Sequence, residues 1–302
     1  MRWWTLTTTL LGTAALLAQA APQDKDKANP KDDGKRLTFS VTATRHGKPI
    51  PRDEIKLKPY EFGRSRAGGG LQVFPEDDDR TKGRRKKVKR ANPTANSANW
   101  CGSVNTTPSI NQIGVVHGIY QHPSCSIRPG VTTYPQAAAA WVGIDGDSYT
   151  SALLQSGTVC VIDNSTGVVR NEAWWQWVPA AAYTITSLTI NAGDWIEVTI
   201  NTTSTTSGEV TITNLNTATA YHVSINSGPT LGRVNADWVV ERPYLGASLV
   251  SFADFSDVWF DDCYATRGSG GNLGILGAKQ YQIPSYCASQ EYDNLSQVSW
   301  SI

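Results

Sequence analysis

Residue types able to act as a nucleophile or to polarise water are common in this 302-residue sequence, Asp and Glu alone numbering 26, so pattern rather than number must select among them. The histidines beyond residue 90 are His117, His122 and His222, but no Gly-x-Ser-x-Gly elbow or other nucleophile signature accompanies them. Isolated histidines on strands or loops are usually structural, so a Ser or Cys triad is disfavoured. No Asp-Thr-Gly or Asp-Ser-Gly occurs either, which argues against two carboxylates sharing one proton. Cys101, Cys125, Cys160, Cys263 and Cys287 form no CxxC or Cys/His cluster, so neither a metal nor another cofactor is expected.

What stands out is a set of tryptophan-rich segments carrying polar residues. They are Asn99-Trp100-Cys101-Gly102, Trp141-Val142-Gly143-Ile144-Asp145-Gly146, Leu153-Leu154-Gln155-Ser156-Gly157, Trp174-Trp175-Gln176-Trp177-Val178-Pro179 and Ala236-Asp237-Trp238-Val239-Val240-Glu241. In a strand over 236–241, alternation places Asp237, Val239 and Glu241 on one face and Trp238 and Val240 on the other. If the first face lines a groove, Glu241 is a carboxylate able to polarise water. Taken alone, Glu241 reads more simply as a solvated strand residue or a partner of Arg242 or Arg233. Asp145, in a Gly-Ile-Asp-Gly turn, reads as a turn former bonding the backbone.

Together and in this order, these segments resemble the glutamic peptidases of fungi, the eqolisin family, which share W-V-G-I-D-G, L-Q-x-G, W-x-x-W-x-P and A-E-[WF]-I-x-E. The resemblance covers essentially all of 91–302. It implies a two-sheet antiparallel β-sandwich of the lectin-like, concanavalin type, and cleavage of protein and peptide substrates in acid. By position it puts the catalytic glutamine on Gln155 and the catalytic glutamate on Glu241. The chemistry agrees: a carboxyl of ordinary pKa about 4.3 is an efficient base in acid, and the Gln155 amide stays an uncharged donor for an oxyanion at any acidity. Trp100, Trp141, Asp145, Trp175, Gln176 and Asp237 are expected to support the site or bind substrate, with Trp177 also near the cleft. Gln176 and Asp237 stand where the family commonly has glutamate, and Cys101 where it has a small residue. Cys101 is expected to pair locally, Cys125 being a candidate.

The elements that must position these residues read as all-β. Short runs of Thr, Val, Ile, Tyr and Trp at 183–190, 195–200, 209–215 and 220–225 are separated by Gly, Asn, Asp and Pro. About 200 residues of this pattern predict one sandwich of two packed antiparallel sheets. The rival class is a carbohydrate-binding or glycoside-cleaving sandwich. A retaining glycosidase needs a second carboxylate roughly 5.5 Å from Glu241, and Asp237 lies about 13 Å along the strand.

Ahead of the sandwich, residues 1–20 read as an export signal: Arg2, an apolar stretch too short to span a bilayer, then Ala18-Gln19-Ala20. The product is therefore expected outside the cell, without membrane or nucleic-acid partners and as a monomer. Sequons at Asn105, Asn164, Asn201 and Asn294 fit that address, and the cysteines allow up to two disulfides with one thiol over. Residues 21–90 carry 20 Lys+Arg against 11 Asp+Glu, while 91–302 carry 6 against 15. The first reads as a basic pro-segment, with few apolar residues for a core of its own, ending in Arg84-Arg85-Lys86-Lys87-Val88-Lys89-Arg90. Behind an export signal, that run favours dibasic processing over nuclear targeting. The opposite charges suggest that the pro-segment covers the body near neutrality, inhibits it, and is released in acid. Scarcity of Lys and Arg in 91–302 limits cationic self-repulsion once its carboxylates are protonated.

Overall fold

A computed structural model describes residues 37–62, 92–110, 112–268 and 270–300, all within the unit Asp32–Ile302. The export signal at 1–20, the remainder of 21–36 and the basic run at 84–90 lie outside the described residues. The principal strands are β1 (Thr38–Arg45), β2 (Leu57–Pro59), β3 (Trp100–Thr106), β4 (Ile113–Gln121), β5 (Gln136–Asp145), β6 (Leu153–Ile162), β7 (Val169–Val178), β8 (Tyr183–Ile185), β9 (Trp195–Thr202), β10 (Gly208–Asn214), β11 (Thr219–Ser227), β12 (Asn235–Glu241), β13 (Val258–Arg267), β14 (Lys279–Gln282), β15 (Cys287–Tyr292) and β16 (Leu295–Trp300). No α-helix occurs among the described residues, and none of their elements is a helix long and apolar enough to cross a membrane.

These strands form two ten-stranded sheets. The first runs β1-β11-β10-β9-β4-β13-β16-β15 and the second β2-β8-β7-β6-β5-β12-β3-β14, each completed by shorter strands. Neighbours among these strands pair antiparallel, as short turns between consecutive strands require. The architecture is the expected all-β sandwich.

Alternation decides which side chains meet. In β11 the burial pattern is strictly period two, with Tyr221, Val223 and Ile225 facing the second sheet. By contrast β5, β6 and β12 are buried at every position. One face of each packs into the inter-sheet core through residues such as Val142, Leu154 and Trp238. Their other face belongs to a second apolar cluster, drawn from the second sheet and its coverings, around Trp100, Trp141, Leu153, Trp174 and Val239.

Part of that covering comes from residues 37–62. Strand β1 adds to β11 along its whole length, and a two-residue strand, Lys48–Pro49, forms the rim beyond it. Strand β2 adds to β8 on the other sheet. Phe39 packs against the stacked pair of Trp175 and Tyr183, with ring centroids 4.9 Å from each. These few apolar residues build no core of their own; they complete the core of the body.

The cysteines form two bridges with Cys263 left as a buried thiol. The expected local pairing of Cys101 is wrong: Cys101 bonds Cys287, 186 residues away, and Cys125 bonds Cys160. Cys101 on β3 faces the inter-sheet core, where β15 of the opposite sheet brings Cys287 to a Cα separation of 6.2 Å. Sheet topology, not sequence distance, selects the partner.

Candidate active site

The outer face of the second sheet gathers the polar residues of the tryptophan-rich segments. Strand β12 lies between β3 and β5, and β6 and β7 follow β5. Register pairs Glu241 with Ala139 and Gln155 with Gly143, both on β5, so the two residues flank Trp141 on opposite sides of that strand. All four share the face of Trp141. Glu241 and Gln155 are 3% and 1% exposed, which matters because a buried polar group must find partners.

Two neutral donors are among the partners of Glu241. Asn99 Nδ2 donates to Oε1 and Trp141 Nε1 donates to Oε2, each at 2.9 Å. The Asn99 amide is oriented in turn by the Ser97 hydroxyl, which donates to Asn99 Oδ1 at 3.4 Å. Asn99 directly precedes β3, whose first residue Trp100 pairs with Glu241, so backbone register delivers the donor. Both donors favour the ionised carboxylate without adding charge.

Gln155 faces Gln176 across the β6–β7 ladder. Its Nε2 donates to Gln176 Oε1 at 3.2 Å, and Gln176 Nε2 donates to the Ala180 carbonyl at 3.1 Å. Gln155 Oε1 has no hydrogen-bond partner among the described residues.

Two glycines of the motifs are explained by this packing. A Cβ at Gly157 would sit 2.1 Å from the Ala140 carbonyl oxygen and 2.6 Å from Trp141 Cβ. At Gly143 it would meet the Trp141 ring at 2.8 Å. Gly143 thus leaves room for the Trp141 ring, and Gly157 lets the β5 and β6 backbones approach beside it. Trp100 closes one end of the site, edge-on to Trp141 with centroids 5.1 Å apart.

Asp145 does not reach this face as a reacting group. Its carboxylate accepts from the backbone N–H of Val234 at 2.8 Å, Arg233 at 2.9 Å and Asn235 at 3.4 Å. It thus fixes the entry of β12 and, through it, Asp237 and Glu241. Burial pushes its carboxyl above the usual range, against the pull of those amides. Asp237 is fully buried with neither oxygen bonded among the described residues. Burial, then the nearby Asp147 and Asp145, push it well above the ordinary carboxylate range.

Trp175 and Trp177 require correction. Both face the inter-sheet core, and it is Trp174, Gln176 and Val178 that turn toward the groove face of β7. Period two fixes this once Gln176 is placed opposite Gln155. Sequence reasoning also missed Asn99 as a carboxylate partner. Its position just ahead of Trp100 carries no signal of this role until β3 is known to lie beside β12.

Residues 60–62 roof the site. The Tyr60 ring stacks on Trp174, centroids 5.2 Å apart and planes within 5°, and packs on Phe62 at 5.7 Å. Burial and the negative charges of Glu241, Glu172 and Glu61 hold the Tyr60 phenol well above its ordinary range. Lys58 Nζ pairs with Glu172 at 2.6 Å, and Arg170 pairs with Glu61, Asp163 and Glu172. Among the described residues no group of His, Cys, Asp and Glu is arranged to hold a metal ion.

Residues 98–301 match the model of the Peptidase A4 family. Aspergillopepsin-2 of Aspergillus niger is 36% identical over 219 residues, covering 66% of this chain and 75% of the relative. Scytalidopepsin B of Scytalidium lignicola is 35% identical over 195 residues, 62% of this chain and 70% of the relative. Among solved structures, scytalido-glutamic peptidase with a transition state analog inhibitor matches with a TM-score of 0.59 at 28% identity, over 68% of this chain and 98% of that one.

Proposed function

Because the chain belongs to the Peptidase A4, or eqolisin, family and is a peptidase, we propose that it is a secreted, acid-active endopeptidase in which Glu241 polarises the attacking water and Gln155 stabilises the oxyanion. The observation that carries this reading is the placement of both side chains on one face, either side of Trp141.

The spacing supports it. On a flat sheet two strand intervals and a four-residue stagger separate the two Cα atoms by about 10 Å across and about 13 Å along. Gln155 is held by Gln176 on its outer side and Glu241 by Asn99 on its own, so a substrate carbonyl and a water would enter over the strip of β5 between them. Glu241, bonded by Asn99 and Trp141, accepts a proton from that water as oxygen attacks the scissile carbon. The carbonyl oxygen gains negative charge, which an N–H of Gln155 receives. Glu241 then returns the proton to the leaving amine, and the C–N bond breaks. The Trp100 and Trp141 rings keep bulk water from the reacting atoms.

The test uses Glu241→Gln and Gln155→Ala in the processed enzyme, assayed in acid on denatured albumin and, in parallel, on polysaccharides. Loss of protein cleavage in both, with folding retained by circular dichroism, is expected. Full protein cleavage by either variant, or polysaccharide cleavage instead, overturns the assignment.

The segment 21–90 is read as the inhibitor of this site. Tyr60 and Phe62 occupy the apolar face that a substrate must reach, and Lys58–Glu172 pairs the segment to the body in the sense of the overall charge split. The pair Glu61–Arg170 runs in the opposite sense, with the acid on the segment. Acidification diminishes the overall charge opposition between the basic segment and the acidic body, and with it the attraction that holds the segment in place.

A further inference from the structure

We infer that Gln176 is a positioning residue that fixes which end of the Gln155 amide faces the substrate, and that it does so independently of pH. This rests on the reading of Gln155 as the oxyanion donor. A primary amide has one accepting and one donating end, and a rotation about the last bond exchanges them. An oxyanion donor in the flipped orientation would present oxygen to developing negative charge and oppose the reaction. Something must therefore hold Gln155 in one sense.

The chain of contacts at β7 does this in two steps. The Ala180 carbonyl can only accept, so the Gln176 end directed at it, 3.1 Å away, is the NH2. Gln176 Oε1 is thereby directed at Gln155, and at 3.2 Å it requires Gln155 to present its own NH2. One N–H of that group is committed to Gln176, and the second is left for the oxyanion. With residues 60–62 in place, Gln176 and Gln155 are 2% and 1% exposed, and both contacts are made within the sandwich itself by β6, β7 and the turn that follows. Every group in the relay is uncharged. Acid that protonates the surrounding carboxylates leaves the relay's polarity unchanged.

A glutamate in the same place would behave differently. Protonated, it can donate to Ala180 and accept from Gln155, reproducing the relay. Ionised, it has no proton for Ala180, and it puts a negative charge beside the oxyanion donor. Position 176 thus sets how far toward neutrality Gln155 remains correctly poised.

The experiment measures kcat and KM from pH 2 to 6 for the processed enzyme and for Gln176→Met, Gln176→Glu and Gln155→Ala. Gln176→Met is expected to lower kcat about 10- to 100-fold with KM within about twofold, short of the loss in Gln155→Ala. Gln176→Glu is expected to approach the parent kcat at the acid end and to fall progressively below it as pH rises. If Gln176→Met misfolds, the near-isosteric Gln176→Glu decides alone through its pH profile. Unchanged kcat in Gln176→Met, or a pH-independent ratio of Gln176→Glu to parent, overturns the inference while an inactive Gln155→Ala leaves the dyad standing. An active Gln155→Ala overturns both.

Discussion

The Trp141 indole N–H donates to Glu241 Oε2 at 2.9 Å, so the residue that floors the site also holds its carboxylate. A neutral donor to a carboxylate stabilises the charged form, and its loss shifts ionisation upward. In Trp141→Phe the acid limb of the kcat/KM profile is expected to move to higher pH, with the maximum lowered about tenfold. An unmoved acid limb would show that the contact does not tune the base.

Asp237 should make the protein less stable toward neutrality. Its folded-state pKa is raised by burial and by Asp147 and Asp145. The folded form therefore keeps the proton at pH values where the unfolded chain has lost it. Stability from this group is full below the unfolded value near 3.9 and is lost as pH rises through the folded value. Asp237→Asn, a permanently neutral mimic, is expected to flatten the fall of Tm between pH 4 and 7. A fall as steep as the parent's would count against the assignment.

His122 acts at the opposite end. Burial lowers its pKa to about 4, with its Nδ1 2.8 Å from Thr158 Oγ1. Its contribution is present above the unfolded value near 6.5 and is lost as pH falls through about 4. Replacing it with the uncharged His122→Gln is expected to raise stability at pH 3 relative to pH 7 by about 2–4 kcal/mol. Urea unfolding at the two pH values measures the difference.

The Cys101–Cys287 bridge staples β3 of one sheet to β15 of the other and spans 186 residues of sequence. Cys101→Ser with Cys287→Ser is expected to cost about 3–5 kcal/mol, seen as a lower Tm in calorimetry. A loss under about 1 kcal/mol would show that the sheets are held by packing alone.

Tyr60 stacks on Trp174, and on the proposed reading it obstructs the groove. A peptide covering 37–62, added to the processed enzyme, is expected to inhibit at pH 6, and Tyr60→Ala in that peptide to weaken inhibition at least tenfold through loss of the Trp174 stack. Equal inhibition by both peptides would place the obstruction elsewhere.

The fold and the site were legible to different depths. Alternation in 236–241 correctly put Glu241 and Asp237 on one face and Trp238 on the other, because a strand's period is rigid. Over 174–178 the expectation of Trp175 and Trp177 at the cleft fails by the same rule, since the register of Gln176 with Gln155 turns Trp174 to that face instead. Asn99 was opaque because its role depends on β3 lying beside β12, a contact 142 residues apart in sequence. The Cys101 partner was hidden for the same reason. Residues 37–62 escaped because apolar content measures whether a segment can build a core, not whether it can lend a few side chains to another.

The rim of the first sheet ends, beyond β1, at Lys48–Pro49, a short edge bearing a charge and a residue without an N–H. Directly behind β1 lies Thr219–Ser227, which contains neither lysine nor proline. Such an unguarded border invites a foreign strand, whether from an unfolding neighbour or from another copy of the enzyme. On the proposed departure of the leading segment, that border is uncovered in the same event that would open the groove, and colloidal behaviour changes with it.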